Sequence, residues 1–216
     1  MGSSQAPSSL FITFEGGEGC GKSTQARALY KRLSRLGIPV ISTHEPGGTV
    51  LGNEIRRCLK RSREGDISPE AELLRFAASR AQLAGEVIQP ALKGGQVVIC
   101  DRYADSTTAY QGYGRGIDLS ITHSFNAIAT QGLQADLTLL LDIPPKEGLT
   151  RKGSKRADRF EQEELAFHQK VREGYLQMAA AEPQRWMIID AMLPKERIEQ
   201  LIWERVAQLL KLPSGK

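Results

Sequence analysis

The sequence has little of what marks several large classes of protein. Its three cysteines lie far apart and form no CxxC pair, which argues against a disulfide scaffold or a thiolate zinc site. No apolar run approaches the ~18 residues of a membrane-spanning helix, and neither an internal repeat nor a low-complexity tract is present. No apolar signal-peptide core precedes the first predicted strand. These absences predict a cytoplasmic protein with reduced thiols and no membrane partner.

Length and composition predict a single globular domain. The chain has 216 residues, of which 40% are hydrophobic and 25% charged, ordinary proportions for a folded chain of this size. We expect a flexible polar leader over 1–9 and one domain over 10–212. The net charge of +4 suits either a nucleic-acid surface or a site for phosphorylated small molecules. The position of the charge along the chain must decide between them.

Short apolar segments alternate with longer segments of helical periodicity. The apolar segments are predicted strands at 10–15, 38–43, 97–100, 137–141 and 186–189. Because they are apolar on both faces, they are typical of a parallel sheet covered by helices. The predicted helices are 25–36, 52–61, 69–92, 121–131, 144–150, 161–181 and 195–210. Right-handed crossovers then give a five-stranded α/β sheet, whose ligands bind at the carboxyl ends of the strands.

The first predicted strand leads into a glycine-rich loop that matches the pattern G-x-x-x-x-G-K-[ST]. Backbone N–H groups of such a loop surround phosphate oxygens, and the following helix contributes its dipole. Lys22 is placed to reach the β and γ phosphates, and Ser23 to bind Mg²⁺. The loop predicts the three-layer α/β/α fold of P-loop NTPases. The residues expected at a nucleoside triphosphate are Gly16, Gly17, Glu18, Gly19, Cys20, Gly21, Lys22, Ser23 and Thr24.

A set of motifs along the chain narrows the function. FEGGEGCGKST, HEPGGT, LLRFAASRAQ, DRYADSTTAYQG and a basic segment followed by DRFE occur in this order. Together they closely resemble the thymidylate kinases of the bacterial type, over about 10–210. The resemblance implies transfer of the γ-phosphoryl group of ATP to thymidine 5′-monophosphate (dTMP), with Mg²⁺. It also implies a five-stranded parallel core and a homodimer, whose faces we expect on helices 69–92 and 121–131.

Two residues four apart in the predicted helix 69–92 lie on one face. The resemblance implies that Phe76 stacks on thymine and that Arg80 donates to thymine O4. The alternative from the residues alone is a core Phe76 and an Arg80 in a surface ion pair.

The DRY segment follows a buried strand. Asp101 is placed to hold Mg²⁺ through water, as a Walker B carboxylate does, or to orient the neighbouring arginine. The resemblance makes Arg102 the residue that bridges the acceptor phosphate and the transferred phosphoryl group; the alternative is a salt bridge at the strand end. Tyr103 could simply pack.

The next segment carries small hydroxyls, a tyrosine and an amide. The resemblance implies that Gln111 reads thymine N3, that Ser106 and Thr107 lie near the acceptor, and that Tyr110 crowds the 2′ carbon of the sugar and so favours deoxyribose. The same segment also reads as the start of a helix.

Three further acceptor residues are implied by the resemblance. Glu18 would hydrogen-bond the 3′-OH of the deoxyribose, and Arg56 would bind the acceptor phosphate. Glu45 would either support catalysis or brace its loop. The chain departs from the family pattern at His44, where an arginine is usual, so the resemblance assigns neither a phosphate-binding nor a structural role to that position.

The basic segment 151–159 lies where nucleotide kinases carry a lid, which we expect over about 146–160. Phosphoryl transfer needs cations on the charge that spreads over the γ-phosphate. Because Gly19 stands where one branch of the family has an arginine in the loop, the cation must come from the lid. Arg151 and Arg156 are the candidates, beside Lys22 and Arg102 as catalytic residues, whereas Arg159 is expected to be structural.

Three other functions compete with this prediction. Another nucleotide or nucleoside kinase would not need the combination of Phe76, Arg80 and Gln111. A GTPase would carry NKxD after a late strand, and the fourth strand ends LDIPP. A nucleic-acid-dependent ATPase is disfavoured because the basic cluster is a short lid and aromatic residues are only 6% of the chain. We therefore expect small-molecule substrates and no nucleic-acid partner.

Overall fold

The computed structural model of the chain describes residues 9–60, 67–152, 160–161 and 163–212. The predicted leader, except for its last residue, and most of the basic part of the predicted lid therefore lie outside the described residues. Among the described residues, none of the helices combines the length and apolar character needed to cross a membrane.

Five parallel strands form one sheet, as the apolar runs predict. They are β1 (Leu10–Glu15), β2 (Val40–His44), β3 (Val97–Asp101), β4 (Leu137–Asp142) and β5 (Trp186–Asp190), in the spatial order β2-β3-β1-β4-β5. All six residues of β1 are buried. Its central position brings its carboxyl end between those of β3 and β4, with Phe14 in register with Asp101.

Helices cover both faces of the sheet, so the predicted three-layer arrangement is confirmed. They are α1 (Lys22–Arg35), α2 (Val50–Lys60), α3 (Pro69–Leu83), α4 (Gln89–Lys93), α5 (Ala104–Thr107), α6 (Leu119–Thr130), α7 (Pro145–Lys152), α8 (Leu165–Ala181) and α9 (Lys195–Leu209). Ile12 and Phe14 of β1 pack in the core with α1 and α9. Phe11, on the opposite face, packs with the segment after α3. Alternate residues of one strand thus fill two separate cores.

Most helices differ from the predicted bounds by one to four residues, and the helix predicted over 161–181 begins only at Leu165. Two of the differences have a local reason. Helix α1 begins at Lys22, three residues earlier than predicted, because Gly21 adopts the left-handed conformation with φ 94° and allows the loop to turn directly into the helix. The helix predicted over 69–92 is interrupted by a π-helical segment, Ala84–Ile88. Pro90 offers no N–H to the carbonyl of Glu86, and its ring would clash with that carbonyl in a regular α-helix, so the wider turn accommodates it.

The segment after β3 is helical throughout. Helix α5 continues into a second π-helical segment, Thr108–Gly114. The sequence indicated only a helix start here. This helical path places Ser106, Thr107, Tyr110 and Gln111 side by side at the carboxyl end of the sheet.

Candidate active site

A cavity of about 560 Å³ lies at the carboxyl ends of β1, β2 and β3. It brings together most of the residues singled out from the sequence. Predicted residues that line it are Glu18, Gly19, Gly21, Lys22, Ser23, Thr24, Glu45, Arg56, Phe76, Asp101, Arg102, Ser106, Thr107, Tyr110, Gln111 and Arg151. Gly16, Gly17, Cys20 and Arg80 do not line it, and Arg156 and Arg159 lie outside the described residues.

Backbone carbonyls of the phosphate loop itself hold the Lys22 ammonium. Gly16, Gly19 and Gly21 all have positive φ, a conformation open to glycine without a Cβ penalty. The Lys22 ammonium donates to the carbonyl oxygens of Gly16 at 3.0 Å and Gly17 at 2.6 Å. These are weak partners compared with phosphate oxygens, so a bound polyphosphate can draw Lys22 away from them.

Helix α7 packs directly on the phosphate loop. A Cβ on Gly19 would overlap the carbonyl oxygen of Gly148, and a Cβ on Gly148 would overlap that of Glu18. No side chain, and therefore no arginine, fits at position 19 in this arrangement. The contact explains in steric terms why the loop carries no arginine of its own.

The predicted metal ligands are adjacent. The Ser23 hydroxyl donates to Asp101 Oδ2, so a hydroxyl and a carboxylate from two different elements face the same space. Oxygen ligands of this kind suit Mg²⁺, which commonly completes its coordination with waters and substrate phosphates. Among the described residues there is no cluster of three or more His, Cys, Asp or Glu that could enclose a metal alone. The donor set therefore fits a cation that is shared with a phosphate.

Arg102 lies at the centre of the site. It has φ 71°, unusual for a residue with a Cβ and of a kind that clusters at functional sites. Its guanidinium donates to the carbonyl oxygen of Gly16 at 3.0 Å, to Glu18 at 2.7 Å and to the Tyr110 hydroxyl at 3.0 Å. It therefore joins the end of β3 to the phosphate loop and to the helical segment of Tyr110.

Neighbouring cations keep the Glu18 side chain ionised. Burial alone would raise the pKa of this group, but Arg102, Lys22 and Lys152 outweigh it and lower the pKa well below the usual range. Oε1 accepts from Arg102 and Tyr110, and Oε2 accepts from Lys152 at 3.0 Å. Glu18 thus remains ionised throughout the physiological range.

An aromatic wall closes one side of the cavity. The ring of Phe160 lies 5.9 Å from that of Phe76 and 6.1 Å from that of Tyr110, centroid to centroid. Phe76 is half-buried and lines the cavity, in keeping with a stacking role. Phe160, from the DRFE segment, was not predicted as a site residue, although its motif was noted.

Gln111 is buried, and its amide is held from behind. Nε2 donates to Glu72 Oε1 at 2.7 Å, while the side chain lines the cavity. Glu72 itself does not line the cavity. It was missed because it lies in a different helix, and its only signal was its place in the first turn of α3.

Arg80 is only 1% exposed and makes a buried ion pair, which differs from the surface pair considered from the sequence. Nε donates to Glu45 at 2.8 Å, Nη1 to Asn126 at 2.7 Å, and Nη2 to Thr107 at 2.8 Å. The predicted contact with thymine O4 stays a prediction. The observed contacts make Arg80 a brace for Thr107 and Glu45, which both line the cavity.

Glu45 is held as a loop brace, and the catalytic role considered for it stays a prediction. It accepts from Arg80, as a loop brace does, and it also lines the cavity. Burial raises the pKa of its carboxyl to about 7, with Arg80 pulling in the opposite direction. The neighbouring His44 also lines the cavity.

Three further residues, Arg56, Tyr103 and Glu15, lie beside those described above. Arg56 donates to the carbonyl oxygen of Pro46 at 2.9 Å and lines the cavity. Tyr103 is buried with its ring against Phe11, so the packing role considered for it is confirmed. Glu15 accepts from the hydroxyls of Ser106 and Tyr175 at 2.6 and 2.8 Å, and these hydroxyls also lie within reach of Arg102.

The described part of the predicted lid carries two adjacent cations that point in different directions. Arg151 donates to the carbonyl oxygen of Ala191 at 2.8 Å and contacts Met192 Sδ, so it lies against the segment after β5. Lys152 reaches the phosphate loop through Glu18 and also pairs with Glu161. The sequence pointed to Arg151 and overlooked Lys152, because spacing alone does not say which member of a basic run faces the loop.

The chain is similar to thymidylate kinases in both sequence and structure. The family model described as thymidylate kinase matches residues 14–202. A thymidylate kinase from Dehalococcoides mccartyi is 56% identical over 205 residues, covering 95% of this chain and 99% of the relative. One from Syntrophotalea carbinolica is 47% identical, covering 96% and 99%. The crystal structure of thymidylate kinase from Ehrlichia chaffeensis matches with a TM-score of 0.76 and 33% identity, covering 93% of this chain and 99% of that one.

Proposed function

The chain belongs to the thymidylate kinase family, and we propose that it transfers the γ-phosphoryl group of ATP to dTMP in the presence of Mg²⁺. Family membership confirms the resemblance seen in the ordered motifs, and it makes the chain a nucleotide-binding transferase of nucleotide biosynthesis. The observation that carries the proposal is the position of Arg102, which contacts the phosphate loop and the Tyr110 segment within one cavity.

At the donor end, the phosphate loop receives the triphosphate. Its N–H groups and the α1 N-terminus bind phosphate oxygens, and Lys22 exchanges the carbonyls of Gly16 and Gly17 for the β and γ phosphates. Ser23 and Asp101 would hold Mg²⁺, which would neutralise charge on the β and γ phosphates. These assignments are supported by the Ser23–Asp101 contact.

Transfer itself needs positioning and charge neutralisation rather than a general base, because the acceptor phosphate already offers a nucleophilic oxygen. We assign Arg102 to the space between acceptor and donor phosphates. We add Lys152 to the cations that would neutralise charge from the lid, since its ammonium already pairs with Glu18 of the phosphate loop. Arg151 can act on the γ-phosphate only by leaving Ala191 and Met192, and Arg156 remains a candidate from the sequence.

At the acceptor end, the cavity offers a partner for each part of dTMP. Phe76 stacks on the base, and the Gln111 carbonyl accepts from N3–H. Tyr110 occupies the space beside the 2′ carbon, and Glu18 accepts from the 3′-OH. The remaining acceptor residues are Arg56 for the phosphate, Ser106 and Thr107 beside the base and sugar, and Glu45 at the cavity wall. Arg80 does not line the cavity; it would reach the base through the one guanidinium N–H that its contacts with the described residues leave over.

The proposal extends to a cytoplasmic homodimer. Exposed apolar side chains recur on the neighbouring helices α2, α3 and α6: Val50, Leu51, Leu74, Ile121 and Ile128. Exposed apolar side chains on helices that pack against one another suit an interface with a second copy of the chain; we call these five residues the apolar patch.

The test is release of ADP from ATP with Mg²⁺ and a panel of monophosphates: dTMP, deoxyuridylate, uridylate, deoxycytidylate (dCMP), adenylate and guanylate. We expect strong preference for dTMP and no turnover of uridylate, which carries the 2′-OH that Tyr110 opposes. Turnover of only another monophosphate would overturn the acceptor assignment. ADP release that needs no acceptor would overturn the kinase assignment altogether.

A further inference from the structure

We propose that Glu72, outside the cavity, determines the preference for thymine over cytosine by fixing the direction of the Gln111 amide. The inference rests on the proposed function, because it assumes that Gln111 faces the base. It makes Glu72 a positioning residue, since it acts on the substrate only through Gln111.

Glu72 is fully buried and acts as an acceptor on both oxygens. Oε1 accepts from Gln111 Nε2 at 2.7 Å and from Arg115 Nε at 3.2 Å, and Oε2 accepts from Arg115 Nη2 at 3.3 Å. Arg115 in turn donates to Glu163 at 2.6 Å and lies over the ring of Phe167. The carboxylate is thus locked between an arginine and the amide.

These contacts leave the Gln111 side-chain amide one favourable orientation. A carboxylate oxygen can only accept, so the atom of Gln111 that faces Glu72 must be nitrogen. A flipped amide would place two oxygens at hydrogen-bond distance in a buried site, where an unpaired acceptor is costly. The carbonyl oxygen of Gln111 is consequently the atom presented to the cavity.

The two pyrimidines differ at the atom that meets this oxygen. Thymine N3 carries a hydrogen and donates, whereas cytosine N3 is an acceptor. A fixed carbonyl therefore binds thymine and repels cytosine, while an amide free to flip could donate to cytosine N3. Discrimination by a site with a fixed hydrogen-bonding group is strong, because the wrong ligand leaves buried polar groups unpaired.

The first experiment compares kcat/KM for dTMP and dCMP in the full chain and in Glu72→Met, which keeps the bulk and removes the acceptor. We expect the dTMP-to-dCMP ratio to fall about tenfold or more, through a higher KM for dTMP and a lower KM for dCMP, with kcat for dTMP changed less. The matched control is Glu163→Gln, which neutralises the other carboxylate paired with Arg115 and should keep the ratio. An unchanged ratio in Glu72→Met, or an equal loss for both substrates, would overturn the proposal.

A second experiment serves if Glu72→Met does not fold. Gln111→Glu alone would set two carboxylates against each other and should abolish dTMP binding. Pairing it with Glu72→Gln exchanges the amide and the carboxylate, and Arg115→Met in the same chain removes the donor that would otherwise face the new amide. An acceptor then again faces N3–H, and dTMP binding with rejection of dCMP should return. Failure of this variant to recover would overturn the proposal. If the wild-type chain itself does not prefer dTMP over dCMP, the proposed function fails first, which separates the two hypotheses.

Discussion

The Arg102 guanidinium lies 2.7 Å from the Glu18 carboxylate, and this ion pair ties the end of β3 to the phosphate loop after β1. Each residue also contacts the Tyr110 hydroxyl. One arginine, one acid and one tyrosine therefore hold the two ends of the cavity, which we assign to donor and acceptor, at a set spacing. Transfer between two bound nucleotides depends on such spacing, because reacting groups must be held in line and close.

Replacing Arg102 by lysine should be a severe change although it keeps the charge. Lysine offers a compact ammonium instead of a planar fork, so it cannot serve Gly16, Glu18 and Tyr110 together. We expect kcat to fall by about 10²–10³, the usual cost of losing a preorganised donor at developing charge. Steady-state kinetics with dTMP measures it.

The matched control is Arg172→Lys. Arg172 makes a two-pronged pair with Asp142 at 2.7 and 2.8 Å but does not line the cavity. The Arg172→Lys variant should keep a kcat close to that of the wild type. If Arg102→Lys lost only thermal stability and kept its kcat, the Arg102–Glu18 pair would be structural rather than catalytic.

Glu18→Gln tests the assignment of this acid to the 3′-OH of the sugar. The carboxylate is ionised because Arg102, Lys22 and Lys152 overcome its burial and lower its pKa. Its neutral isostere should weaken dTMP binding by about tenfold, the value of a hydrogen bond to a charged group. The same substitution should matter much less for 3′-deoxythymidylate, which lacks the hydroxyl. Binding titrations of both ligands to both proteins give the comparison, and equal losses for the two ligands would remove Glu18 from the sugar site.

The strands and the phosphate loop could be predicted because their signals in the sequence are local. The apolar runs identify the strands, and the spacing of Gly16, Gly21, Lys22 and Ser23 identifies the phosphate loop. The path of residues 104–114 was harder, because a π-helical segment has no simple periodic signature and depends on packing against α8.

Sequence reasoning missed two kinds of contact: those between residues far apart in the chain, and those that depend on the direction in which a side chain points. Glu72 and Gln111 are 39 positions apart, and no spacing rule joins them. Arg151 and Lys152 are adjacent in a basic run, and the run does not show that Lys152 is the one that reaches Glu18. Arg80 was assigned to thymine, but a buried Glu45 could not be foreseen as its partner.

Gly148→Ala should separate α7 from the phosphate loop. The added Cβ would overlap the carbonyl oxygen of Glu18, and backbone on both sides leaves no flexible side chain to yield. We expect kcat/KM for ATP to fall by about 10²-fold, the order of effect seen when a site is displaced by an ångström. The control is Gly85→Ala, because a Cβ at Gly85 meets no atom within 4 Å and should leave the kinetics unchanged. Wild-type kinetics in Gly148→Ala would contradict a role of the contact between α7 and the phosphate loop in the use of ATP.

The pH dependence of stability should carry the signature of Glu45. Burial, opposed by Arg80, raises the pKa of this carboxyl from 4.5 to about 7. The folded chain therefore keeps a proton that the unfolded chain releases near pH 4.5, so this contribution to stability is complete below pH 4.5 and is lost as pH rises through about 7. One proton corresponds to at most about 1.4 kcal/mol per pH unit.

Denaturant titrations of wild type and Glu45→Gln at several pH values between 5 and 8 isolate this contribution. The raised pKa of Glu15, also about 7 because of burial, acts in the same direction, so only the difference between the two proteins is informative. We expect a shallower fall of the unfolding free energy with pH in Glu45→Gln, whereas the exposed control Glu86→Gln should follow the wild type. Parallel curves for Glu45→Gln and wild type would place the Glu45 pKa near its ordinary value.

The apolar patch on α2, α3 and α6 predicts the assembly state. Val50 is 79% exposed and Ile128 is 74% exposed, levels at which an isolated chain gains nothing from their apolar character. In a dimer they would be covered, so Ile128→Arg should place charge in the interface and shift the equilibrium to monomer. Light scattering across a concentration series measures the mass. Leu36→Arg, at an exposed apolar residue at the end of α1, should leave it unchanged. A wild-type chain that is already monomeric at micromolar concentration, or equal behaviour of the two variants, would place the interface elsewhere or exclude it.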